Sequence, residues 1–193
     1  MTQVSLYDAL QSSYGDKQSQ SKLANAGYKY DSMLSNHNQQ VWYNPNEKKL
    51  LYNVAGTHNL SDVGTDAYLA FGGLKSTNRY KEADNILRQA KQKYNPANTT
   101  VTGHSLGSTI ANQIASKGAG DKVYALDGGF TIGQNISNNK NFHNFRTAGD
   151  LVSIMSQNKN NIGNITTLRN NNWFKDPLTA HHVENIKNEN IFV

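Results

Sequence analysis

Gly103, Ser105 and Gly107 stand in the stretch VTGHSLGS with one residue between each, a spacing that makes Ser105 a candidate nucleophile. Glycines at the flanking positions permit a strand-to-helix turn too tight for side chains, and the serine is held in a strained conformation that projects its hydroxyl. The helix that follows turns free N–H groups and its positive dipole end towards the reacting group. A serine of this kind needs a base to take its proton and an acid to orient the base. Downstream of Ser105 the histidines are His143, His181 and His182. Asp150 follows the strand-like run NFHNFRT at a glycine-containing turn, and its rival Asp127 follows YAL, whereas Asp176 has no strand before it. In the chain order serine, acid, histidine, Asp150 is the preferred acid, and His181 or His182 is the base, because His143 falls inside a strand. Each acid also has a plain reading as a turn residue bonding its own backbone. Neighbouring residues such as His181 and His182 rarely bind one ion together, so neither a metal nor an organic cofactor is expected.

Positioning these groups requires strands that end at one edge of a sheet, and the chain alternates accordingly. The first 25 residues read as one or two short helices, with Val4, Leu6, Tyr7 and Leu10 on one side. YKYDSMLS, QQVWYN and LLYNVAG read as strands, the last two joined by a turn over residues 44–49. DAYLAFGGL reads as a short helix. A longer one carries Tyr80, Ala83, Leu87, Ala90 and Tyr94 at helical spacing, with Ser76 as its cap and Pro96 as its stop. A β-rich run at residues 99–102 leads into the serine, and Leu106, Ile110 and Ile114 line one face of the next helix, with Gly118 and Gly120 ending it. DKVYALDGG and NFHNFRTAGD add two strands, the asparagine-rich residues 156–172 a polar loop or weak edge strand, and HHVENIKNENIFV a short helix with or without a strand. Alternation of this kind predicts an α/β-hydrolase-like three-layer sandwich, a mostly parallel sheet with helices on both faces.

With 193 residues and 36% hydrophobic content, the expectation is a single domain over 1–193, on which a helical segment, 1–26, packs. No cysteine is present, which excludes disulfides, thiolate metal sites and cysteine nucleophiles. The N-terminus has neither a basic nor an apolar signal region, and no segment approaches the roughly 20 apolar residues of a membrane span. The expectation is a soluble protein, cytoplasmic or released by a non-classical route. Net charge is +5, from scattered lysines and arginines. That charge favours transient contact with an anionic membrane surface, and without any nucleic-acid-binding motif no nucleic acid partner is expected. Nothing in the sequence fixes an oligomeric state.

Three blocks together resemble the class 3 lipase family: YNVAGTHNLSDVGTDAYLAFGG, the stretch from EADNILRQAKQKY through VTVTGHSLGSTIANQIA, and FRTAGDLVSIM. The resemblance runs from about Val41 to Ile186. It implies a strand-end Gly56-Thr57 that supplies part of an oxyanion hole, from the backbone N–H and hydroxyl of Thr57 together with the N–H of Leu106. It implies Asp150 as the acid, and it puts His181 in the base register, followed by Val183 and Ile186, with His182 as the alternative. Ala55 stands where the family often has arginine, and Ser108 where it has a second glycine. The spacings between Ser105, Asp150 and His181 are short for a full-length lipase, with little room for a lid. The expected activity is therefore cleavage of carboxylic esters, of lipid or phospholipid type, through an acyl-enzyme on Ser105. The alternatives are an acyltransferase or peptidase using the same triad, or a non-catalytic binding protein on a hydrolase scaffold. Trp173, Phe174 and Ile186 could meet an acyl chain, and read equally as core or loop anchors.

Overall fold

The structure is a computed structural model that describes residues 3–57, 74–117, 121–128, 139–150, 165–169 and 179–193. Seven strands form one sheet in chain order: β1 (Lys29–Tyr30), β2 (Gln39–Asn44), β3 (Lys49–Val54), β4 (Asn98–His104), β5 (Lys122–Leu126), β6 (Phe142–Thr147) and β7 (Ile165–Leu168). The pairs β1–β2 and β2–β3 are antiparallel. From β3 to β7 every pair is parallel. The β2–β3 turn is held by the Asn44 side-chain oxygen, which accepts the N–H groups of Asn46 (3.1 Å) and Glu47 (3.2 Å), with Lys48 in the left-handed region at φ 50°.

Alternation along the strands distributes apolar side chains to two faces. Val41, Leu50, Tyr52, Val54 and Val101 pack with Tyr80, Ala83 and Leu87 of α3 (Asn78–Tyr94) and with Ile110 and Ile114 of α4 (Leu106–Ala115). Trp42 and Leu51 turn the other way, onto Ala9 of α1 (Leu6–Ser13) and Leu23 of α2 (Lys17–Asn25). On that second face Leu6 and Leu10 of α1 also meet Leu126, Leu168, Val183 and Ile186. Helices therefore cover both faces of a mostly parallel sheet, the three-layer architecture that the sequence predicts. Among the described residues no helix is long and apolar enough to cross a membrane.

Several local expectations are corrected. The expected strand over YKYDSMLS pairs only at Lys29–Tyr30, because the Asp31 carboxylate accepts the N–H groups of Met33 (3.0 Å) and Leu34 (3.2 Å) and turns the chain out of the sheet. The cap of α3 is Thr77, not Ser76: its hydroxyl accepts the Tyr80 N–H at 3.2 Å. The helix ends on Asn95 at φ 41°, just before Pro96. Within the asparagine-rich region Ile165–Leu168 is a parallel edge strand, and the tail carries two 3₁₀ turns, Thr179–His181 and Val183–Ile186, and an isolated bridge from Phe192 to Ser5. The expected helix at 66–74 falls, but for Leu74, outside the described residues, as do Gly118, Gly120, Trp173, Phe174 and Asp176 entirely.

Leu10 is fully buried between α1 and the turn that carries Val183 and Ile186. Leu10→Ala is expected to lower unfolding free energy by about 2–5 kcal/mol, read from urea denaturation with an unchanged m-value.

Candidate active site

Ser105 lies between the end of β4 and the start of α4 with φ 56° and ψ −127°, a conformation non-glycine residues seldom adopt. Its N–H is held by the Leu126 carbonyl (2.9 Å), its carbonyl accepts the Ser108 N–H (3.0 Å), and its hydroxyl does not cap the helix. The two glycines are required by close approach. A Cβ on Gly103 would run into the backbone of Gly107 and Ser108, and one on Gly107 into the carbonyls of Val54 and Ala55. Gly56 brings the end of β3 against the serine, since a Cβ there would stand 2.9 Å from Ser105 Cβ.

The structure brings Asp150 and His181 together. Asp150 Oδ1 lies 2.7 Å from His181 Nδ1, and both side chains are almost wholly buried. A carboxylate there makes Nδ1 the protonated nitrogen, so Nε2 presents its lone pair. That Nε2 is buried and has no hydrogen-bond partner among the described residues. Burial alone would push His181 down; the hydrogen bond and charge of Asp150, with the charge of Asp127, outweigh it and hold the imidazole above its ordinary value. His182 lines the same cleft but makes no contact with Asp150 that the structure shows. Its side chain is 40% exposed, with Nδ1 3.8 Å from Glu184.

His104, the residue before Ser105, has its ring centroid 4.9 Å from that of His181. The His181 carbonyl is 2.8 Å from His104 Nε2, and because a carbonyl only accepts, Nε2 carries the proton. The Tyr14 hydroxyl therefore donates to His104 Nδ1 (2.7 Å) and itself accepts the Gly56 N–H (2.8 Å). This one-way chain links the end of β3, helix α1, the elbow and the histidine turn. Burial, and then the nearby charge of His181, press the His104 pKa down to about 3, so the ring is neutral. Burial lifts Tyr14 to about 12, which keeps its proton in place. Arg79 of α3 completes the frame by donating to the carbonyls of Ala55 (2.6 Å) and Gly56 (3.3 Å).

Asp127, the rival acid, lies in the same cluster rather than in a separate turn. One of its oxygens accepts the Thr147 N–H (2.6 Å) and the other the Thr147 hydroxyl (2.9 Å). His104, Asp127 and His181 offer potential ligand atoms within 4.8 Å of one another, all three buried. Both ring nitrogens of His104 are engaged in the bonds just described, and each oxygen of Asp127 accepts one hydrogen bond from Thr147, so the three residues form a polar network. Thr57 lines a cleft of about 200 Å³ with Tyr14, His104, His181, His182 and Glu184, and Leu106 is the first residue of α4. Sequence reasoning passed over Tyr14 and Arg79, whose roles arise from contacts distant along the chain. His104 stood inside the quoted elbow stretch but carried no expected role.

The class 3 lipase family matches residues 23–162. The chain belongs to the class 3 lipase family. Membership makes it a lipid-ester hydrolase in general. Solved structures agree on the fold: Lip2 lipase from Yarrowia lipolytica is 14% identical, over 76% of this chain and 67% of that one, with a TM-score of 0.53. A triacylglycerol lipase from Penicillium expansum is 14% identical over 86% and 77%, with a TM-score of 0.51. A fungal lipase is 12% identical over 94% and 82%, with a TM-score of 0.52. No match was found among curated proteins.

Replacing Tyr14 with Phe removes the hydroxyl shared by two buried groups, the Gly56 N–H and His104 Nδ1. Tyr14→Phe is expected to cost about 1–3 kcal/mol of stability, measured by urea unfolding, while overall secondary structure by circular dichroism stays unchanged.

Proposed function

We propose that this lipase-family chain cleaves lipid or phospholipid esters through an acyl-enzyme on Ser105, with His181 as general base and Asp150 as the orienting acid. The observation that carries this reading is the buried Asp150–His181 hydrogen bond of 2.7 Å, with Nε2 left unpartnered among the described residues and the His181 carbonyl bonded to His104 of the elbow. His181 Nε2 takes the Ser105 proton as Oγ bonds to the ester carbonyl carbon, whose π pair moves onto oxygen. Collapse of that intermediate breaks the bond to the leaving alcohol, which departs with the proton from His181. Water then repeats both steps on the acyl-serine, releasing the acid.

The oxyanion would be held by the N–H groups of Thr57 and Leu106. In a trans peptide C=O and N–H point in opposite directions. Arg79 draws the Gly56 carbonyl to one side, which favours a Thr57 N–H aimed to the other. Leu106 opens α4, so its N–H has no intrahelical partner. The short spacings between Ser105, Asp150 and His181 fit a compact esterase or phospholipase as well as a triglyceride lipase. The net charge of +5 favours substrates presented on an anionic surface.

A fluorophosphonate probe should label the wild type and not Ser105→Ala, and turnover of p-nitrophenyl esters should fall by about 10⁴-fold or more in Ser105→Ala and His181→Ala. His182→Ala should keep near-normal turnover. Equal labelling of Ser105→Ala, or loss of activity in His182→Ala with survival in His181→Ala, would overturn the assignment. An ester series of rising chain length then reads the acyl preference.

A further inference from the structure

Asp127 directly follows β5 and carries a fully buried carboxylate that the mechanism above does not use. Its two oxygens grip both the N–H and the hydroxyl of Thr147, the last residue of β6. The Thr147 carbonyl in turn accepts the Asp150 N–H (3.1 Å), across a turn in which Gly149 has φ 88°. Asp127 thus fastens the residue from which the acid's turn springs. Asp127 also faces the base directly: one of its oxygens and a ring nitrogen of His181 lie within 4.8 Å.

The backbone singles out the same residue. His104 pairs with Leu126 across β4 and β5, so Ser105 and Asp127 are the next residues on adjacent strands. Both take left-handed φ values, 56° and 50°. Strain of this kind persists where the surroundings over-determine it. The groups that face Asp127 are Asp150 and Thr147 from the end of β6, His181 from the C-terminal turn and His104 from the end of β4. With His104 neutral, the charges that the described residues bring to this pocket belong to two carboxylates and one imidazole.

We propose that Asp127 is a positioning residue of the active site, which holds the Asp150 turn through Thr147 and, when ionised, sets a second negative charge against His181. The inference rests on His181 being the base. Burial, then the charge of Asp150, raise the Asp127 pKa to about 7 against the pull of His181 and the Thr147 hydrogen bonds. Its charge therefore comes and goes near neutral pH, and His181 is held above its ordinary value by Asp150 together with this same carboxylate. The sign follows from which form of the imidazole is useful. An ionised Asp127 favours imidazolium, yet only neutral imidazole accepts the Ser105 proton. The acid limb of kcat/KM accordingly lies at higher pH with Asp127 than without it.

Asp127→Asn keeps the size and can still accept the Thr147 N–H, but carries no charge. The acid limb of its kcat/KM profile on a p-nitrophenyl ester is expected to move to lower pH by about half a unit to one unit. Asp127→Ala, which also frees Thr147, is expected to lose rate at every pH. Thr147→Val leaves the carboxylate but removes one of its two stabilising hydrogen bonds, so the limb should move the same way by less. The His181 pKa of the substrate-free protein, followed by its Hε1 NMR signal and assigned by its absence in His181→Gln, should fall in step. A purely structural Asp127 would leave the limb and the NMR titration unmoved in folded Asp127→Asn and Thr147→Val, and that result, or a shift to higher pH, overturns the proposal. Were the wild type to show no ester turnover, the NMR titration would still decide the role of Asp127, and only the assignment of Ser105 chemistry would fall.

Discussion

Helix α4 begins so close to the carboxyl end of β3 that Gly107 has no room for a Cβ beside the Val54 and Ala55 carbonyls. That contact sets the geometry around Ser105. Because the helix sits hard on the strand, the chain leaving β3 at Gly56 passes within touching distance of the serine. The Ala55 and Gly56 carbonyls then lie where Arg79 of α3 can take them, and the Gly56 N–H where Tyr14 of α1 can. A side chain at Gly107 would push α4 off the strand and separate these partners together. Close packing of backbone against backbone, rather than any single polar bond, is the interaction from which the site is assembled.

The order of the sheet decides which segments complete it. Strands β3, β4 and β5 add side by side in chain order and in parallel, and crossovers of one hand leave the helices between them on one face. The single core shared by α3 and α4 is the result. The opposite face, carrying Trp42, Leu51 and Leu126, has to be closed by something else, and it is closed by α1 and α2 with the turn around Val183 and Ile186. Burial of that apolar face is what brings Tyr14 and His181 to the elbow. Gln11 of α1 bonds Glu184 (2.6 Å) across the same seam. Apolar closure of the sheet and construction of the cleft are therefore one event.

The legibility of the sequence follows the range of the contacts. The elbow was readable because its demands are local: two glycines, a serine, a β-rich run before and an apolar helical period after. The strands β2 and β3 and the helix α3 were readable for the same reason. Thr77 displaced Ser76 as a cap because both are eligible and the register of the helix decides. Asp31 cut β1 short because its carboxylate offers the backbone an alternative to sheet pairing. The network of Tyr14, Arg79 and His104 was not readable, since it depends on elements distant along the chain meeting at one strand end. Asp127 and Asp150 were read as rivals, an opposition that only a linear view imposes. Adjacent strands bring both carboxylates to the same imidazole.

The buried polar groups around that imidazole divide into two kinds. Gly56, Tyr14, His104 and the His181 carbonyl form a neutral chain in which every bond runs one way, so it fixes positions without the desolvation cost of a buried charge. Among the described residues the charges around this imidazole belong to Asp127, Asp150 and His181. Were His104 to ionise, its positive charge would lie beside the ring of His181 and oppose protonation of that imidazole. Its low pKa removes that opposition. The proposed base, His181, is consequently held by neutral hydrogen bonds on one side and polarised by carboxylates on the other, so the field it feels comes from groups already fixed in the fold. A site built this way has little to reorganise when charge moves, and fixed dipoles and charges of this kind do most to stabilise a transition state.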